Sequence, residues 1–291
     1  MAQEASIGVS FHSGGLVDSP FDEVIRRLAR AGYDAVEIVC GPEAHLRTAE
    51  PLGPQIERAR GLLEETGLAV SAINPYTAPA LVNYARDDLD GALGFWGSLL
   101  QIAYELGSRN VNFLPGWLPE GDTAAWKLLI EVLRRLCEMA EKLGVNLAIH
   151  NHEAHIIDAP GKCLVLMDHV GSDRLKVLCD ITNFHILGSD IGDTVRLLGP
   201  HIVHCHLKGV RGRYPYQEFL VPGEEGDELD VDGFVEALVR IGYRGYISVE
   251  CFRWMRADRP ELGCATVAGS LRRVGTRRER GVAASDEEAG R

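Results

Sequence analysis

A helix end, a glycine and a β-rich run recur five times along this chain. The segments are Arg30-Ala31-Gly32 before Ala35-Val36-Glu37-Ile38, Glu65-Thr66-Gly67 before 69–73, Glu105-Leu106-Gly107 before Asn110–Phe113, Lys142-Leu143-Gly144 before 146–149, and Arg240-Ile241-Gly242 before Tyr246–Val249. Glycine suits the left-handed position that ends a helix, and a cation in the last turn suits the helix dipole. Three further apolar runs, at 7–11, 176–179 and 202–205, bring the strands to eight. Helical patterns lie between them. In Phe21–Ala31 the apolar Val24, Ile25, Leu28 and Ala29 follow a 3.6-residue period, and 92–106 and Thr123–Leu143 are longer stretches of the same kind. Eight strands alternating with helices predict an α/β fold: a (β/α)8 barrel, one domain over residues 1–270. A doubly wound open sheet is the competing architecture, but Ser13-Gly14-Gly15 is too weak a match to the Gly-rich phosphate loop such a sheet carries after its first strand. Residues 209–228 read as a long loop over the barrel mouth. Residues 271–291, rich in Arg, Gly, Ala and Glu, read as a disordered tail.

Composition narrows the class. A net charge of −12 argues against a nucleic-acid surface, which needs clustered Lys and Arg. Seven cysteines without regular spacing do not make a disulfide framework. Cys40, Cys179, Cys205 and Cys251 lie in or beside the apolar runs and read as reduced core thiols. Met1-Ala2-Gln3-Glu4 lacks a signal pattern, and no apolar run is long enough for a bilayer. A cytoplasmic enzyme without nucleic-acid or membrane partners is the expectation; assembly as a homo- or hetero-oligomer stays open.

Chemistry gathers at the strand ends of the second half. His150-Asn151-His152-Glu153 follows Leu147-Ala148-Ile149, and Asp180 follows Val177-Leu178-Cys179. His204-Cys205-His206 follows Ile202-Val203, and Glu250 follows Tyr246–Val249. Two carboxylates and an imidazole at strands six, seven and eight suit one divalent cation: Mn2+ first, with Zn2+, Co2+ or Mg2+ as the others. Each residue alone has a blander reading. An Asp after a strand is commonly a helix N-cap, and a lone His is commonly a satisfied core group. Their joint occurrence at successive strand ends favours the metal.

At three stretches the chain resembles the xylose isomerase-like TIM barrels, also called sugar phosphate isomerases/epimerases. His204-Cys205-His206-Leu207-Lys208 is like that family's H-x-H-x-K. Val221-Pro222-Gly223-Glu224-Glu225-Gly226 is like its P-G-x-G loop with one extra residue. Gly242-Tyr243-Arg244-Gly245 running to Glu250 is like its G-Y-x-G-x-x-x-x-E terminus. Asp34-Ala35-Val36-Glu37 resembles its second strand, whose Glu often faces substrate.

The resemblance implies one cation held by Glu, Asp, His and Glu from strands five to eight. Asp180, His206 and Glu250 fill the last three places. His150 stands where the first Glu would be, with Glu153 as the alternative ligand. It also implies isomerisation or epimerisation of a sugar, keto-sugar or cyclitol by proton abstraction beside a carbonyl. Glu250 would be one acid/base group; His152, Glu153 or His185 would supply the other. Because His150 replaces a Glu, a lyase or dehydratase sharing the first step is the alternative, acting on an inosose or a keto-glycoside. A non-catalytic binding subunit is the second alternative.

Substrate contacts are expected from His12, Glu37, His185, His204, Lys208 and Arg211. Asn74, Tyr76 and Trp117 end strands three and four, where they pack against a sugar or merely against the loops. His150-Asn151-His152 spells a nuclease motif, but that motif needs a ββα setting. The related apurinic endonucleases need a basic groove, which the charge of −12 opposes.

Overall fold

The expected helix ends form as left-handed glycine caps. At Gly32, φ is 89° and the N–H donates to the Ala29 and Leu28 carbonyls. At Gly144, φ is 68° and the N–H donates to the Ala140 and Glu141 carbonyls. Each cap turns the chain directly into a strand. The computed structural model describes residues 7–117, 121–255 and 259–289. In it the barrel strands are β1 (Gly8–His12), β2 (Ala35–Gly41), β3 (Ala69–Pro75), β4 (Asn110–Phe113), β5 (Asn146–His150), β6 (Leu175–Asp180), β7 (Ile202–Leu207) and β8 (Tyr246–Val249). All pair in parallel in the order β1-β8-β7-β6-β5-β4-β3-β2, and pairing of β1 with β2 closes the ring. The open sheet is thereby excluded. Helices Phe21–Ala31 and Thr123–Leu143 form with the expected limits, and Leu89–Glu105 begins three residues before the expected start.

Closure makes one end of every strand a shared rim. Register then aligns the site: Asp180 of β6 lies opposite His206 of β7, and Ser248 of β8 also pairs with His206. Glu250 lies two residues past Ser248, so it faces the same side. His150 of β5 pairs with Leu178, two residues before Asp180. The outer faces of the strands pack against the helices through residues such as Val36, Ile38, Leu147 and Cys179, all fully buried. Many inward positions are polar instead: Ser10 and Ser71 hydrogen-bond at 2.7 Å, and Glu37, Asn112, His204 and His206 are 0% exposed. A barrel interior is ordinarily filled by branched apolar side chains; this one carries a hydrogen-bonded layer beneath the rim. All seven cysteines are free and buried.

Two segments differ from the expectation. Residues 209–228 contain an antiparallel hairpin, Gly209–Arg211 with Glu218–Leu220, in which Glu218 lies opposite Arg211. Asp227 fastens its base by accepting the N–H groups of Val210, Gly223 and Leu229 at 2.9 to 3.0 Å. The second is the chain end. A helix runs over Pro260–Ala289, through the point at which a disordered tail was expected. Val274 is 2% exposed in the core cluster, and Arg273 pairs with Asp232 at 2.7 Å. Leu271 and Val274 pack this stretch against the core cluster, a pattern that the surrounding Arg and Gly residues conceal. Among the described residues no helix is long and apolar enough to cross a membrane.

Candidate metal centre and active site

Asp180 fulfils both of its readings with different oxygens. It caps the helix Ile181–Ile186, where Oδ1 accepts the Asn183 N–H at 3.0 Å. Oδ2 is left facing inward, 3.3 Å from His150 Nε2 and bonded to the Lys208 ammonium. The Asn151 side chain clamps the Asp180 backbone, donating to its carbonyl at 3.0 Å and accepting its N–H at 2.9 Å. His150, Asp180, His206 and Glu250 each offer one ligand atom, and these atoms all lie within 4.8 Å of one another. All four residues are buried.

The donor set fits a divalent cation. Burial pushes the His150 imidazole down to about 4, against the pull of Asp180, so it is a neutral lone-pair donor at pH 7. Burial works to raise the carboxyls of Asp180 and Glu250, but Lys208 outweighs it, helped by His150 at Asp180 and by His206 at Glu250; both stay ionised, below their usual range. His206 Nε2 lies 2.7 Å from Glu37, while its buried Nδ1 makes no hydrogen bond and faces Glu250 Oε1 at 3.3 Å. Two imidazoles and two carboxylates suit a borderline ion once His206, pushed up to about 10 by Glu37 and Glu250 against burial, gives up its proton. The Lys208 ammonium, 2% exposed, joins Asp180 and Glu250, with Nζ 2.5 Å from Glu250 Oε2. This cluster already holds a positive charge between its two acids.

Glu37 organises the layer below. It accepts from His204 Nε2 at 2.9 Å, His206 Nε2 at 2.7 Å, Asn74 Nδ2 at 2.9 Å and Asn112 Nδ2 at 2.8 Å. Burial favours its neutral form, yet His206, His204 and His12 hold it well below the carboxylate range. Expected as a substrate contact, Glu37 is 0% exposed with both oxygens engaged, and it holds the orientation of the His204 and His206 rings. His204, likewise 0% exposed, supports Glu37 and does not face the cavity.

A cavity of about 210 Å³ opens beside the donor cluster, lined by His12, Asn74, Tyr76, His150, His152 and Glu250, with Phe252 at its edge. Among its described lining residues Glu250 is the one carboxylate. His152 Nδ1 meets the Glu153 backbone carbonyl at 2.9 Å, while Glu153 Oε2, 3.0 Å from the same nitrogen, makes no hydrogen bond; Glu153 stays outside the donor cluster.

Other expected contacts scatter. His185 lies two residues past Asn183, about 200° around a helix. It lines a separate cavity of about 680 Å³ with Asp190, Arg213 and Asp230. Arg211 sits on the hairpin, exposed and paired with Glu218, facing a further cavity. Trp117 packs against His155 at 4.3 Å between ring centroids and does not line the cation cavity.

Several residues that matter were not found from sequence. Asn112 alternates with Asn110 in a buried strand, and that polar alternation is a usable sign of an inward face. Asn151 and Thr182 brace backbone; Thr182 Oγ1 donates to the Lys208 carbonyl at 2.9 Å and accepts its N–H at 3.0 Å. Phe219 and Phe252 carried no sequence signal beyond being aromatic.

A family model described as xylose isomerase-like TIM barrel matches residues 25–272. The chain is similar to a D-psicose 3-epimerase of Enterocloster bolteae, 25% identical over 249 residues that cover 80% of this chain and 77% of that protein. It is also similar to an inosose isomerase of Bacillus velezensis, 29% identical over 250 residues that cover 82% and 85%. Among solved structures, a D-tagatose 3-epimerase-like protein superposes with a TM-score of 0.76 at 20% identity, covering 93% of this chain and 99% of that one. The IOLI protein with a binding zinc atom superposes with a TM-score of 0.68 at 19% identity, covering 93% and 96%.

Proposed function

This chain belongs to the xylose isomerase-like TIM-barrel family, and we propose that it is a divalent-cation-dependent isomerase or epimerase of a sugar, keto-sugar or cyclitol. The observation that carries this reading is the buried group of His150, Asp180, His206 and Glu250 at the edge of a small cavity. The epimerase and isomerase names of the two relatives support the substrate class. A bound divalent cation, Mn2+ in the first instance, supplies Lewis-acid polarisation of a carbonyl and its neighbouring hydroxyl. His150, Asp180, His206 and Glu250 would hold it; Glu37 sets the His206 ring, leaving Nδ1 towards Glu250. Glu250, lining the cavity as a carboxylate, takes the proton from the carbon beside the carbonyl. His152 lines the same cavity and its Nδ1 is held by the Glu153 backbone carbonyl, so it serves as the second acid/base group. Lys208 balances the acids, and Asn74 and His12 offer polar contacts to hydroxyls.

Deuterium exchange tests the reading. The cation-loaded protein incorporates solvent deuterium into a ketohexose or inosose, and Glu250→Gln loses that exchange while calorimetry still detects a weakened cation site. Undiminished exchange in Glu250→Gln sinks the mechanism. A second reading shares the first step and ends in elimination, and the single cavity carboxylate favours it, because two-carboxylate epimerisation needs a partner for Glu250. Product of unchanged mass means isomerisation; loss of water or an aglycone means a lyase.

A further inference from the structure

His152 is the one member of the acid/base pair that lies in a loop beyond its strand. Strand β5 ends at His150, and His152 sits two residues further on, with 32% of its side chain exposed. A group that gives or takes a proton needs a defined position, because a small displacement at a reacting centre costs a large factor in rate. The Glu153 carbonyl accepts from His152 Nδ1 at 2.9 Å, which puts the ring proton on Nδ1 and leaves Nε2 with the lone pair. One hydrogen bond to the adjacent residue sets the tautomer but leaves the ring free to swing about it.

The rest of the loop supplies a second hold. The His152 carbonyl accepts the His155 N–H at 3.3 Å, and the His152 N–H donates to the Ile157 carbonyl at 3.2 Å. This turn puts Ala154 at φ 62°, in the left-handed region that favours glycine. The His155 ring thereby packs on the His152 ring, with centroids 5.1 Å apart and planes inclined by 53°. Trp117 packs on the same His155 ring at 4.3 Å. The two loops are tied together: the Ile156 N–H donates to the Gly116 carbonyl at 3.0 Å, and the Asn83 side chain accepts the Trp117 N–H at 3.1 Å and donates to its carbonyl at 3.2 Å. His155 is 4% exposed, and its Nδ1 makes no hydrogen bond. Burial, reinforced by His152 and His150, lowers it to about 3, so it is uncharged at pH 7. Such a ring contributes packing. Neither His155 nor Trp117 lines the cation cavity.

We propose that His155, backed by Trp117, is a positioning residue that holds the His152 ring at the cation cavity. This rests on the reading of His152 as the second acid/base group and explains how a histidine beyond the strand end can fill that role. His155 acts on rate through His152 alone, so its loss changes turnover and spares cation binding.

A double-mutant cycle on the Mn2+-loaded full chain tests this, with D-psicose and scyllo-inosose as probes. His155→Ala should lower kcat about 10–100-fold, the cost of a misplaced reacting group, with KM and the calorimetric Mn2+ Kd unchanged. His155→Phe keeps a ring and should recover most of the loss. Trp117→Ala, at a position 53% exposed, should fall between the two. Adding His155→Ala to His152→Ala should cost nothing beyond His152→Ala alone. Additive losses overturn the proposal, because His155 then acts through another group or through folding. An unchanged kcat in His155→Ala overturns it too, as do equal losses in His155→Phe and His155→Ala. In each of these cases a loss of turnover in His152→Ala leaves the acid/base reading standing. Full turnover in His152→Ala removes that reading and the proposal with it, and turnover of neither probe by the unmodified chain does the same.

Discussion

Replacing Lys208 with methionine removes the positive charge between Asp180 and Glu250 while keeping an unbranched buried chain. In the cation-free protein that ammonium is the shared partner of two buried carboxylates. Burial disfavours its charge, but Asp180 and Glu250 outweigh burial and hold it protonated above its ordinary range. Breaking a buried ion pair from one side costs about 3–5 kcal/mol, because an uncompensated charge is left behind. For a chain of 291 residues the unfolding entropy is about 0.6 kcal/mol per degree. The loss then lowers Tm by about 5–8 °C. His206 also faces Glu250, and although burial opposes its charge, Glu37 and Glu250 push it up to about 10. It compensates in part, so the lower end of the range is expected. A divalent cation replaces the lost charge outright, whereas in the unmodified chain it must first displace the ammonium. Scanning calorimetry in EDTA and in saturating Mn2+ reads both effects: Lys208→Met melts lower without cation and gains more from it. Equal melting in EDTA, or equal gains from Mn2+, refutes the idea that Lys208 stands in for the ion.

Glu37→Gln should weaken cation binding about 10–100-fold by freeing the His206 ring, and a calorimetric Kd equal to that of the unmodified chain contradicts this role. His150→Glu adds a carboxylate to the cavity and should shift preference from Zn2+ towards Mn2+ and Mg2+; competition binding checks it, and an unchanged ratio counts against His150 as a ligand. Val274→Ala removes buried area worth about 1–2 kcal/mol, measured by urea unfolding, and no loss would mean that the final helix is not docked there. Burial lowers His45 to about 4 from its ordinary 6.5, against hydrogen bonds to Ser19 and Leu16. The unfolded chain therefore binds the extra proton first, so this contribution is intact above pH 6.5 and is lost as pH falls towards 4. His45→Asn should flatten that part of the stability profile, and an unaltered slope would show that His45 does not titrate this way.

Local chemistry made the barrel legible. The glycines at 32, 67, 107, 144 and 242 all take positive φ, because a helix cap depends on a few consecutive residues. The strand ends were legible for the same reason: a short apolar run, then His150, Asp180, His206 or Glu250. Residues such as Glu37, Asn112, Lys208 and Phe219 were harder to read. Each takes its meaning from partners far along the chain, and Glu37 reaches His206 across 169 positions.

The sequence by itself determined the alternation of strands and helices and the candidate ligands at the strand ends. These follow from periodicity, capping and side-chain type, which are local. Only the tertiary structure decided that Glu37 is buried against two imidazoles, that Lys208 is buried between two acids, and that His185 and Arg211 turn to other cavities. Barrel closure and register set those outcomes: they bring remote side chains within hydrogen-bond distance, and two residues along a helix are enough to point a histidine away.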